Sequence, residues 1–125
     1  MSDGEIAEPL RGGSAPLVVP FPTAAQRQVS FTRTELRSIL DLYARKVAEG
    51  EWRDYAIDFM RDKAVFSIFR RTSEIPLYRV EKDPKLARRQ GAYAVVAASG
   101  LVLKRGHDLA RVLRVLDKPL KLVVN

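Results

Sequence analysis

The chain has no cysteine, a single histidine and a single tryptophan in 125 residues. Without cysteine there is no disulfide, no thiolate nucleophile and no Cys-ligated zinc or iron–sulfur site, and the composition fits a reducing, cytoplasmic setting. One histidine, His107, and scattered carboxylates match neither a zinc site nor an EF-hand loop, so no metal and no cofactor are expected. Neither G-x-G-x-x-G nor G-x-x-x-x-G-K-S/T occurs, which removes the glycine loops that cradle phosphates. No stretch approaches the ~18 consecutive apolar residues of a membrane span. What is present, 46% hydrophobic residues, is enough for one globular domain.

Charge is plentiful and unevenly placed. The formal net charge is +7, yet residues 1–60 balance at −2 and residues 61–125 at +9. A field this lopsided attracts polyanions and raises their encounter rate, whatever the fold.

Residues 1–28 carry four of the seven prolines and three of the seven glycines, with little to bury, and read as a disordered tail ahead of a single domain over 29–125. They do not read as a secretory signal. Asp3, Glu5 and Glu8 stand where positive charge belongs, and Leu17-Val18-Val19 is short and ends in proline. Order starts at Phe31. Thr32 and Glu35 have the spacing of a capping box, with Phe31 placed to staple onto Leu36. Leu36, Ile39, Leu40, Tyr43 and Val47 then follow the buried stripe of a helix over 33–49, stopped by Gly50.

The period then changes. Tyr55, Ile57 and Phe59 alternate with Asp54, Ala56 and Asp58, the pattern of a strand with one wet face, although Trp52, Tyr55 and Phe59 also suit a helix. A second strand runs from Ala64 to Arg71, apolar on both faces, and a third from Leu77 to Glu81. Lys85–Gln90 reads as a helical turn or basic loop. Ala92–Ala97 and Leu101–Lys104 flank a Ser99-Gly100 turn as the fourth and fifth strands. His107 or Asp108 caps a second helix with the stripe Leu109, Val112, Leu113 and Leu116. Pro119 ends that helix before a short strand, Leu120–Val124. The fold class is α+β: helix, antiparallel meander of about five strands, helix, terminal strand. Either both helices cover one sheet face, leaving Val65, Phe69 and Trp52 on the other as a homodimer seam, or the helices lie on opposite faces.

No catalytic constellation stands out. His107 sits where a helix begins, a place for a cap rather than a base. Asp54 and Asp58 share a face, as paired acid–base carboxylates would, but they also suit a solvated strand, with Asp58 paired across strands to Arg70. An enzyme acting on a small anion would draw on Asp54, Asp58 and Tyr78 beside the arginines. The residues that point somewhere are cationic: Arg70, Arg71, Arg79, Lys82, Arg88, Arg89, Lys104 and Arg105. Arginine's planar fork donates two parallel hydrogen bonds to phosphate. Phe66, Phe69, Tyr78 and Tyr93 interleave with them as in sheet-type readers of single strands, Tyr78 and Tyr93 being the candidates for base stacking, while core packing is their alternative role.

The runs Gly50–Asp58 (GEWRDYAID), Ala64–Arg71 (AVFSIFRR), Pro76–Lys82 (PLYRVEK), Arg89–Tyr93 (RQGAY) and Leu103–Gly106 (LKRG) resemble the signature of a small bacterial family known only as a domain of unknown function. The resemblance covers about residues 29–124 and implies a short, stand-alone bacterial protein. It transfers no activity, cofactor or catalytic residue. The expectation from the residues is therefore a non-enzymatic cytoplasmic domain that binds a polyanion, RNA or DNA or a ribonucleoprotein, through those eight cations. The competing class is a protein–protein adaptor, homodimeric or otherwise, that uses an apolar sheet face or the proline-rich tail.

Overall fold

The computed structural model describes residues 28–71 and 75–117. Residues 1–27 of the expected tail and the expected strand Leu120–Val124 lie outside them. The first helix, α1 (Arg33–Ala48), starts at the capping box. The Thr32 hydroxyl accepts the Glu35 N–H (3.1 Å) and the Glu35 carboxylate accepts the Thr32 N–H (2.7 Å). It ends at Glu49, and Gly50 takes the left-handed conformation (φ +79°) that an L side chain rarely adopts.

Five strands follow as an antiparallel meander in chain order: β1 (Asp54–Phe59), β2 (Ala64–Phe69), β3 (Tyr78–Lys82), β4 (Tyr93–Ala97) and β5 (Val102–Gly106). The second helix, α2 (Leu109–Asp117), starts at Asp108, whose carboxylate accepts the Ala110 N–H at 3.0 Å; the cap is Asp108 and not His107. The fifth strand begins and ends one to two residues later than its apolar pattern suggests, because Leu101 still belongs to the turn and its carbonyl accepts the Ala97 N–H.

Both helices pack on one sheet face. A single core joins Ile39 and Leu42 of α1, Val112, Leu113 and Leu116 of α2, and Phe66, Ile68, Val80 and Val95 from the strands. The register explains the membership. Ile57, Phe66, Val80 and Val95 stand opposite one another across four strands and point the same way. Val65, Ser67, Phe69, Arg79, Glu81, Ala94 and Val96 point the other way, to the face opposite the helices, where Val65, Ser67, Ala94 and Val96 are buried as well.

Two expectations are corrected. Trp52 does not stand on the face opposite the helices. It is 5% exposed within the core, 6.1 Å from the Tyr43 ring and 6.4 Å from Tyr78. On α1, Leu42 and Lys46 are buried while Val47 is 40% exposed, so the buried stripe is rotated toward α2 relative to the apolar pattern. Lys46 is tolerated because its ammonium reaches Glu49 and Glu51, each at 3.5 Å.

The connection from β3 to β4 is drawn in tightly. Asp83 caps a short 3₁₀ turn, Pro84–Leu86, and the Gly91 N–H returns to the Leu86 carbonyl at 2.8 Å. Gly91 has φ +107°, and a Cβ there would lie 2.1 Å from the Gly106 carbonyl carbon. Gly100 also has positive φ (+95°), but nothing lies within 4 Å of its Cβ position. Gly91→Ala therefore adds a backbone collision to left-handed strain. It should cost about 3–5 kcal/mol, against about 1 kcal/mol for Gly100→Ala. Thermal unfolding followed by circular dichroism checks this, with a loss of at least ~12 °C expected for the first and only a few degrees for the second.

Candidate polyanion interface

Of the eight cations singled out by sequence, Arg71, Arg79 and Lys82 have partners within the chain. Arg79, on the face opposite the helices, pairs with Glu81 at 3.2 Å, and Lys63 approaches the same carboxylate at 3.6 Å. Lys82, on the covered face, bonds Glu35 and the Ser30 carbonyl, at 2.8 and 2.9 Å. Arg70, Arg88, Arg89, Lys104 and Arg105 have no carboxylate within ion-pair range among the described residues.

These cations fall into two groups at opposite ends of the sheet. Arg105 is level with Ala94, Glu81 and Val65 across the ladder, whereas Arg70 lies five residues beyond Val65 along β2. Strand spacing alone separates them by about 22 Å. The first group gathers where β5 runs into α2. Lys104, Arg105, His107 and Arg111 line a groove of about 280 Å³ in which the only acid is Asp108, 4.0 Å from Arg111. The contact of Gly91 with Gly106 folds the connection that carries exposed Arg88 and Arg89 against this same end. The first turn of α2 also directs its positive end here. The second group, Arg53, Arg70 and Arg71, lines a groove of about 400 Å³ with Trp52, Val47 and Gly50. Arg53, His107 and Arg111 were not among the sequence candidates. The signal for Arg111 was present, since it faces outward one helical turn after Asp108.

Tyr78 and Tyr93 both lie on the covered face. The Tyr78 ring sits against Trp52, and the Tyr93 hydroxyl donates to Glu35, so neither ring stands free on the open sheet. Asp54 and Asp58 lie on the edge strand, on the face opposite the helices. Asp58 stands opposite Val65, not beside Arg70, which corrects the expected cross-strand pair. Among the described residues there is no group of three or more His, Cys, Asp or Glu that could hold a metal, and no helix long and apolar enough to cross a membrane.

The carboxylate of Glu35 is the electrostatic centre of the covered face. Burial pushes its pKa up, but hydrogen bonds from Lys82, Tyr93 and the Thr32 N–H, with the Lys82 charge, outweigh burial and hold it below the usual carboxylate value. Tyr93 is pushed up to about 12 by burial, by its bond to Glu35 and by the charges of Glu35 and Asp108. Burial and the nearby Asp54 likewise raise Tyr43.

A family model described as "Protein of unknown function (DUF2794)" matches residues 29–113. No curated protein and no solved structure matches the chain.

The Glu35 cluster sets the pH range of the fold. A depressed carboxyl contributes stability above its unfolded pKa and loses it as pH falls through the folded value; a raised tyrosine contributes below about pH 10 and loses it as pH climbs toward about 12. Melting temperature against pH should fall on both flanks. Glu35→Gln should flatten the acid flank, and Tyr93→Phe should flatten the alkaline one. An acid flank unchanged in Glu35→Gln would show that other carboxyls set it.

Proposed function

The chain belongs to this family of unknown function, and we propose that it is a non-enzymatic cytoplasmic domain that binds RNA or DNA through the basic corner where β5 meets α2. The observation that carries this reading is the groove lined by Lys104, Arg105, His107 and Arg111, with Arg88 and Arg89 brought to the same end. Three features suit a phosphate backbone. The cations come from three separate stretches of chain. They are mostly exposed and largely unneutralised. They sit beside a helix start whose free N–H groups favour anions.

Phosphate contacts act by releasing counterions, so the reading makes a quantitative statement about salt. If four of these cations each neutralise a phosphate of duplex DNA, log affinity should fall with log salt at a slope of about −3.6. That is a loss of about 150-fold between 50 and 200 mM. Fluorescence anisotropy with a labelled oligonucleotide measures it. Lys104→Ala with Arg105→Ala should reduce the slope by about 2. Arg53→Ala with Arg70→Ala, at the far end of the sheet, should leave it unchanged. No binding at 50 mM salt, or an equal response to the two pairs, would remove this reading.

A further inference from the structure

The meander has two outer strands, and they differ. On β5 the pairing slips between Val95 and Val96, so Leu103 is an extra residue in the ladder, followed by Lys104 and Arg105. A bulge and adjacent cations are the devices that keep sheet edges from pairing. β1 has neither. Its six residues keep an unbroken register with β2 and contain no proline, glycine or cation.

Among the described residues no strand pairs with the outer side of β1, and the Val29 N–H bonds the Met60 carbonyl just past its end. Antiparallel ladders alternate, and the hairpin closes with the Met60 N–H on the Lys63 carbonyl at 2.8 Å. The even-numbered residues of β1 therefore bond β2, and the backbone groups of Tyr55, Ile57 and Phe59 face outward, the Tyr55 N–H donating to the Asp54 carboxylate at 2.8 Å. The side chains of these residues point to the helix-covered face, where Tyr55 is 40% and Phe59 42% exposed. Tyr43, 4.9 Å from Tyr55, shows that the flank of α1 away from α2 overlooks β1. That flank carries Leu36, Leu40 and Val47, at helical spacing with Tyr43.

We propose that β1 pairs antiparallel with β1 of a second copy, about a two-fold axis at Ile57, joining the two meanders into one ten-stranded sheet. The strand is complementary to itself in this register. Tyr55 stands opposite Phe59 of the second copy and Ile57 opposite Ile57, which gives two aromatic cross-strand pairs on the face that the α1 flanks overlook. On the other face Asp58 meets Ala56 and Asp54 meets Met60, so no carboxylates stand directly opposed. The outward backbone groups of both strands fall on the same odd-numbered residues, as a shared ladder requires, and each Tyr55 N–H exchanges the Asp54 carboxylate for the Phe59 carbonyl of the second copy. A two-fold seam of this kind is closed and adds no further copies.

Sedimentation velocity on the full chain, from 1 to 200 µM, tests it. The expected result is a species of twice the 14.1 kDa chain mass. Phe59→Lys should return the chain to a monomer by placing a cation at each aromatic pair. So should Phe59→Pro, which removes an outward N–H and leaves the bonds to β2 in place. Far-ultraviolet circular dichroism should match the parent in each case. Ala56→Lys, facing Asp58 of the second copy twice by symmetry, should tighten the dimer about fivefold. A monomer at 200 µM would leave the edge to another occupant, either residues 1–27 or a foreign strand, and overturn the proposal. A dimer that survives both Phe59 substitutions would put the seam elsewhere and overturn it equally, as would a ladder of larger species.

Discussion

Two helices have to roof five strands. Packed side by side about 10 Å apart, a pair of helices spans about four strands at 4.8 Å spacing. α2 takes β4 and β5, and α1 lies alongside it over the rest. The strand left short of cover is β1. This shortage explains why Tyr55 and Phe59, whose alternation marks them as core residues, remain about 40% exposed. It also explains why α1 is apolar over a wider arc than its own sheet uses. The same geometry buries Phe66 and Val80 completely, since they lie under the middle of the roof.

The roof is fastened by charge at both ends of α1. Glu35 near its start ties the helix cap to β3 through Lys82 and to β4 through Tyr93. Lys46 near its end is held by Glu49 and Glu51, just before the chain turns into Trp52. A third tie, Arg45 to Asp117 at 3.3 Å, joins the two helices but is half-exposed and worth little. The buried ties matter more for position than for net energy, because each satisfied charge fixes where its helix turn sits on the sheet.

Most of the architecture was legible in the sequence, because capping box, alternation and turn residues agreed with one another from Thr32 to Leu116. What was not legible has a common cause. Periodicity counts apolar residues, and the buried stripe of α1 runs through Glu35 and Lys46, whose partners lie on other elements or past the helix end. Trp52 was ambiguous because a residue just ahead of a strand has no assigned face until the chain's entry is known. For the candidate site, the sequence showed which cations exist but not which were already engaged. Arg79 and Lys82 look the same in the chain as Arg88 and Arg105, and only the register separates them. Belonging to a family without an assigned activity adds nothing to that separation, so the charge map rests on the ladder alone.

The slipped residue in β5 has a further effect on what the molecule can become. A regular sheet edge with unpaired backbone groups is a template for association, and a sheet with two such edges can grow from both. Leu103 breaks the equivalence. One extra residue, out of step with its neighbour, makes β5 a poorer template for an added strand than β1. A deletion there that restored an even ladder would give the sheet two regular edges, each a template for a further strand.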